Sequence, residues 1–180
     1  MASAGGRAIL FVDGYNIIGT CPRLAKQRDR HGFDAARHRL SEDLAGYSAF
    51  KGYQTKLVFD AYRQGTPSRE ESVTDTLHIC YTHPHQTADS YIEQACAQFR
   101  HDFRKFSHRL IVATSDRAQQ LTVVGYGAEW MSAQRLLLDI RQVKEQVRRK
   151  KRSSLGHSKR FLASRLKPDV QQQLEQLRRL

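Results

Sequence analysis

Nothing in these 180 residues approaches the roughly 18 consecutive apolar residues of a membrane-spanning helix, so the chain is not expected to cross a membrane. Cysteine is sparse: Cys21, Cys80 and Cys96 are odd in number and widely spaced, which excludes a disulfide framework and the paired spacing of a zinc site. Such thiols suit a reducing compartment, with Cys80 and Cys96 read as small buried side chains. No Gly-x-Ser-x-Gly, Walker A or Gly-x-Gly-x-x-Gly pattern occurs, which removes serine-hydrolase, P-loop and dinucleotide chemistry from consideration. No secretory pattern opens the chain, and residues 1–7 are expected to form a flexible start. Acidic residues are scarce after position 140. Residues 1–140 hold 17 Lys+Arg against 15 Asp+Glu, whereas residues 141–180 hold 13 against 3, so most of the net charge of +12 belongs to the C-terminal segment. A segment of that kind is an electrostatic footprint for nucleic acid or, less often, for an anionic membrane.

What is present is a repeated pairing of an apolar strand with a terminal aspartate. Ala8-Ile9-Leu10-Phe11-Val12 reads as a buried strand; Asp13 stands at its carboxyl end and Gly14 lets the chain turn. Lys56-Leu57-Val58-Phe59-Asp60 and Leu110-Ile111-Val112-Ala113-Thr114-Ser115-Asp116 repeat the arrangement. In open α/β sheets that edge is where ligands bind, and parallel strands would bring the carboxylates together there. Clustered carboxylates repel one another and imply a bound cation.

Strands are expected at about 8–13, 56–60, 77–81 and 110–114, with a short one near 128–130. Residues 17–32, with Gly19, Pro22 and Gly32, read as a loop. A helix follows from an Asp34 N-cap, with Ala36, Leu40, Leu44 and Tyr47 on one face, and Gly52 ends it. Residues 61–71 read as a mobile polar loop. His83-Pro84-His85 breaks the chain and Thr87 caps a helix that buries Ile92, Ala95, Cys96 and Phe99. A short helix starts near Asp116. A long one starts near Ser132 with Leu136, Ile140, Val143 and Val147 on one stripe, and breaks at Ser153-Ser154-Leu155-Gly156. A last amphipathic helix carries Leu166, Val170, Leu174 and Leu177. The alternation predicts an α/β fold with a central, mainly parallel sheet and helices on both faces. No internal sequence repeat is visible.

Asp89 and Glu93, four apart near a helix N-terminus, share a face opposite the apolar stripe. With Asp13 and Asp116 they could line a pocket of three or four carboxylates, an all-oxygen set that suits Mg2+ or Mn2+ and phosphodiester hydrolysis. Each member also has a plainer reading: Asp13 or Asp116 as a helix cap, Glu93 as a solvated charge, Asp60 as half of an ion pair. Their joint occurrence favours the pocket. His83 and His85 lack a third nearby nitrogen or thiolate ligand. An aspartyl phosphatase often carries a second Asp two positions after its nucleophile, where this chain has Tyr15.

Val12-Asp13-Gly14-Tyr15-Asn16-Ile17-Ile18-Gly19 resembles the opening motif of the YacP-like NYN-domain ribonucleases, a branch of the PIN-like nucleases. Val58-Phe59-Asp60-Ala61, Thr87-Ala88-Asp89 with Glu93, and Val112-Ala113-Thr114-Ser115-Asp116 match in order, and Ser132-Ala133 opening a Leu-rich helix fits. The resemblance covers about residues 8–150 and implies a three-layer PIN-like nuclease domain there, followed by a basic helical extension over 151–180. It implies a metal-dependent endoribonuclease, expected to use Mg2+ or Mn2+ on single-stranded RNA, notably mRNA on translating ribosomes; the absence of a transit pattern favours a bacterial cytoplasm over an organellar stroma. By motif match Asp13 and Asp89 bind the metal first and Asp116 third. Asn16 orients a water or phosphate, and Asp60 and Glu93 are lesser candidates. Residues 141–165 carry ten Lys or Arg and one acid, with Arg148, Arg149, Lys150, Lys151 and Arg152 in a row and Lys159 and Arg160 beyond. Five like charges exceed what a helix C-terminus needs, so this arm is read as contacting RNA phosphates. The rival readings are a non-catalytic RNA- or ribosome-binding module and a small-molecule phosphohydrolase; the latter leaves the basic arm unexplained.

Overall fold

The computed structural model describes residues 7–60 and 68–165, with side chains described as far as Arg152. Residues 1–6, residues 61–67 of the expected polar loop, and the expected last helix with Leu166, Val170, Leu174 and Leu177 lie outside the described residues. So do the side chains of Lys159 and Arg160.

Six strands form one sheet: β1 (Ala8–Asp13), β2 (Tyr53–Phe59), β3 (Arg69–Thr74), β4 (Leu77–Tyr81), β5 (Arg109–Ala113) and β6 (Glu129–Met131). Their order is β3-β4-β2-β1-β5-β6, and all neighbours are parallel except β3 against β4. β1 is buried along its whole length, as its unbroken apolar run demands of a central parallel strand covered on both faces. Alternation then divides the core. Leu10 and Val12, with Leu57, Phe59 and Ile111, face one side. Ile9 and Phe11, with Val58, Cys80 and Val112, face the other.

The first face is covered by helices α1 (Gly14–Thr20), α2 (Pro22–Lys51) and α5 (Ala133–Arg165), through Ile17, Leu24, Leu40, Leu44, Leu136 and Ile140. The second is covered by α3 (Ala88–Phe99) and α4 (Arg117–Gly125), through Ile92, Cys96 and Val123. The three-layer architecture with helices on both faces is therefore as expected. Thr87 caps α3 by accepting from the Ser90 N–H at 3.1 Å, and Gly52 closes α2 at φ 69°, a left-handed value that favours glycine.

Four expectations need correction. Residues 17–32 are mainly helical: Pro22 stands at the start of α2, where its missing N–H costs nothing, and the breaks are confined to the extended Cys21 and to Gly32 at φ 84°. β2 begins at Tyr53, three residues early, where Ser48 Oγ donates to the buried Thr55 Oγ1 at 2.7 Å. Arg69-Glu70-Glu71 belong to the antiparallel edge strand β3, a charged edge that discourages further pairing. There Lys56 pairs with Glu70 at 3.2 Å, and the Arg69 guanidinium lies 4.9 Å from the Tyr81 ring centre. Finally, α5 passes through Ser153, Ser154 and Gly156 without a break; one glycine costs a helix only about 1 kcal/mol.

The chain packs as two compact units, Met1–Val143 and Lys144–Leu180. Leu136, Ile140 and Val143 are buried, whereas Val147, on the same stripe, is half exposed. No described helix is long and apolar enough to cross a membrane.

Among the described glycines, Gly14, beside the first aspartate, is the one with another group pressed against it. A Cβ on Gly14 would stand 2.1 Å from the Phe59 ring, which is fully buried and held by Tyr15 and Tyr81. Gly14→Ala should therefore cost about 1–3 kcal/mol, the range of overpacked cores, and urea unfolding would show it as a lower midpoint with an unchanged slope.

Candidate active site

The parallel register decides where the carboxylates stand. Asp13 is level with Val58 on β2, and Val12 with Ala113 on β5, so the chain leaves all three strands at one edge. Asp60 follows β2 and Asp116 follows β5 at that edge. α3 begins there too, because Thr82 N–H donates to Phe59 O at 3.0 Å and Thr82 Oγ1 closes a turn onto Gln86 O at 2.6 Å. Asp13, Asp60, Asp89 and Asp116 thus line one cleft of about 260 Å³ together with Tyr15, Asn16, Thr87 and Ala88.

Three of the four carboxylates are tied to backbone at the start of a helix. Asp13 Oδ1 accepts from Asn16 N at 3.1 Å and caps α1. Asp116 Oδ1 accepts from Gln119 N at 3.0 Å and caps α4. Asp60 Oδ1 accepts from Ala88 N, the first residue of α3. Asp89 differs: its Oδ1 is buried and receives no hydrogen bond. None of the four is ion-paired among the described residues, and no Lys or Arg lines the cleft there.

The electrostatics follow. Burial, opposed by the Asn16 N–H and reinforced by the charges of Asp89, Asp60 and Asp116, pushes the Asp13 carboxyl from an ordinary 3.8 up to about 6. Burial likewise raises Asp89, with Asp116, Asp60 and Glu93 adding to the effect. Asp13 and Asp89 are neighbours across the cleft, and each carboxylate's charge disfavours ionisation of the other.

The expected residues divide on position. Asp13, Asp89, Asp116, Asp60 and Asn16 share the cleft. Glu93 does not line it and acts on Asp89 through its charge alone. Asn16 Oδ1 accepts from Ser115 N at 2.8 Å, tying the loop that carries Asp116 to the loop that carries Asp13. That tether spans 99 residues and had no sequence signal. Tyr15 was also missed as a lining residue. Its ring packs edge-on to Phe33 and Phe59, and its hydroxyl accepts from the buried Arg37 at 2.9 Å. His83 and His85 are exposed in the turn before α3 and lie outside the cleft.

The donor set suits a hard divalent cation: oxygen only, net anionic, with one orphaned buried acceptor on Asp89. Among the described residues no three acidic, histidine or cysteine side chains stand close enough together to hold a metal ion by themselves. The cleft therefore suits an ion that keeps several of its waters and takes one or two carboxylates, as Mg2+ does.

The family profile of the YacP-like NYN domain matches residues 10–179. The chain belongs to the YacP-like NYN domain family. The match extends well past residue 150, so the family's reach is wider than the motifs alone indicated. Within it, the uncharacterized protein YacP of Bacillus subtilis (strain 168) is 31% identical over 144 residues, covering 80% of this chain and 81% of that protein. Two crystal structures of Rae1 (YacP) from Bacillus subtilis are similar. One, of a mutant with a single tryptophan replaced by leucine, has a TM-score of 0.70 at 27% identity, covering 94% of this chain and 99% of that one. The other has a TM-score of 0.67 at 30% identity, covering 95% and 94%. The NYN domain is PIN-like, and the family has a nuclease-like fold.

The strained carboxylate makes a stability prediction. An acid whose pKa is raised on folding stabilises the fold fully only below its unfolded value near 3.8, and that contribution is lost as pH rises through about 6. Asp13→Asn keeps the cap and removes the charge. In EDTA at pH 7 it should gain about 1–3 kcal/mol, and the gain should shrink towards zero by pH 4. Urea unfolding at the two pH values reads both. Added Mn2+ should stabilise the wild type and leave the variant unmoved.

Proposed function

We propose that this protein is a metal-dependent endoribonuclease that hydrolyses single-stranded RNA, with mRNA on the translating ribosome as its substrate, in the bacterial cytoplasm. The observation that carries this reading is the cleft of four carboxylates with no cation among the described residues and an orphaned oxygen on Asp89. Such a site would repel an RNA phosphate unless a cation stood between them. Asp13 and Asp89 would hold that ion directly, with Asp116 as the third carboxylate acting through one of its waters, and Mg2+ or Mn2+ is the choice that fits oxygen donors. The bound ion supplies the positive charge that admits the phosphate and eases deprotonation of the attacking water.

The remaining groups position. Asp60 fixes the first turn of α3 and hence Asp89, and Asn16 holds the Ser115 backbone and hence Asp116. The Asn16 amide nitrogen makes no hydrogen bond among the described residues, which leaves it available to a phosphate oxygen. Water adds to phosphorus and the P–O3′ bond breaks, leaving 5′-phosphate and 3′-hydroxyl ends. Arg148, Arg149, Lys150, Lys151 and Arg152, with Lys159 and Arg160, supply sequence-independent phosphate contacts.

Cleavage of a translated mRNA, with ribosomes present and Mn2+ or EDTA added, tests the centre. Metal-dependent cuts should fall at least about a hundredfold in Asp13→Asn combined with Asp89→Asn. Cuts that persist in the double variant would remove the centre from the mechanism. RNA binding without cuts in the wild type would favour a binding module.

The arm has its own test. Changing Arg148, Arg149, Lys150, Lys151 and Arg152 together to Gln should flatten the slope of log affinity against log salt on single-stranded RNA by up to about 3.5. An unchanged slope would remove the arm from RNA contact.

A further inference from the structure

A second surface stands apart from the cleft. Between α3 and β5 the chain forms a short 3-10 helix, Phe103–Phe106, whose two phenylalanines are 89% and 80% exposed. Rings that large are seldom left in water without a use. The turn that presents them is firmly built. Asp102 caps it, accepting from Arg104 N at 2.7 Å, and pairs with the Arg104 side chain at 2.6 Å. Lys105 Nζ donates to Arg100 O at 2.8 Å and lies 5.0 Å from the Phe106 ring centre. The rings are thus displayed by a braced scaffold.

Charge selects the occupant. Residues 100–109 hold four Lys or Arg and one acid, so cations interleave with the aromatic rings. Arg104 and Arg109 are already paired with Asp102 and Glu129, which leaves Arg100 and Lys105 as the cations beside the rings. A single-stranded nucleic acid satisfies both, with bases on the rings and phosphates on those two cations; an apolar protein partner would bury them unpaired. A cavity of about 240 Å³ adjoins the turn, lined by Phe11, Lys56, Tyr91 and Phe99 and sharing Arg104 with it. Its aromatic wall continues the apolar surface of the turn; Asp102 also lines it, and its two cations are paired, Lys56 with Glu70 and Arg104 with Asp102. The surface lies at the other end of the sheet from the carboxylates. α3 starts at the cleft and ends at this turn, and its 12 residues span about 18 Å.

We propose that Phe103 and Phe106, framed by Arg100, Arg104 and Lys105, form a stacking platform that grips single-stranded RNA away from the point of cleavage. The choice of RNA over DNA rests on the function proposed for the cleft. The platform holds a stretch of substrate by its bases, without reading their order, while another stretch occupies the cleft. Stacking is indifferent to salt, so the platform adds affinity that the basic arm cannot supply at high ionic strength.

The test is the affinity of a short fluorescent single-stranded RNA for the full chain in EDTA, where nothing turns over. Phe103→Ala combined with Phe106→Ala should weaken binding at least about tenfold, while the salt slope and the unfolding midpoint stay as in the wild type. Phe103→Trp combined with Phe106→Trp should restore it. An oligomer of the same charge without bases should bind wild type and alanine variant alike. Unchanged RNA affinity in the alanine variant overturns the platform, as does a loss confined to binding of anionic lipid vesicles. The two readings fail separately. Platform-dependent binding without Asp13-dependent cleavage leaves the platform standing, and cleavage by a variant whose binding is unchanged leaves the nuclease standing.

Discussion

Asp13, Asp60, Asp89 and Asp116 repel one another across a cleft in which, among the described residues, no cation stands. Helix starts hold them there. Asp13 and Asp116 cap α1 and α4, and Asp60 accepts from the first N–H of α3. The positive ends of three helices therefore converge on the acids. The partial charges of those helix starts offset part of the repulsion without neutralising it. Burial is the main reason the Asp13 pKa is raised, and the neighbouring carboxylates add to it; that added repulsion is the negative potential that draws in a cation.

This convergence is a property of parallel sheets. Each parallel strand delivers its chain to the same edge, and each following helix starts there, so aspartates and helix N-termini cannot avoid one another. β1 is central, and its register with β2 and β5 fixes Asp13 between Asp60 and Asp116. Asp89 arrives by a different route, on the first turn of α3, and it alone lacks a tether for its inner oxygen. Gly14 gives the approach its closeness, since any side chain there would displace Phe59 and, with it, the end of β2.

The strands and the acids were legible in the sequence because they rest on local rules. An unbroken apolar run gives a central strand, a Thr before an apolar-periodic segment gives a cap, and a strand-end Asp before Gly marks where the chain leaves the sheet, here straight into α1 rather than through a turn. Residues 17–32 misled because proline and glycine suggest a loop whether they start a helix, as Pro22 does, or kink one, as Gly32 does. β3 escaped notice because an exposed edge strand needs no apolar alternation; its pairing with β4 and its charged contacts hold it. The Asn16 tether to Ser115 could not be read at all, because its partners meet only after β5 has been laid beside β1. The exposed phenylalanines near the end of α3 look in sequence like core residues, and only their exposure marks them as a surface.

Each tethered aspartate serves two ends with two oxygens. One oxygen satisfies a helix N–H that would otherwise go unpaired, and the other is left to the cleft. Glutamate has the charge but a longer reach, so it would misplace either the cap or the ligand. Serine and threonine cap as well but bring no charge. Asparagine keeps the cap and surrenders the field. Aspartate is thus the residue that meets both demands at a strand end, which makes the plain reading of these positions as caps and the chemical reading as ligands compatible. The stability lost by burying these charges beside one another and the affinity gained for a cation share one electrostatic origin. A substitution that recovers one should surrender the other.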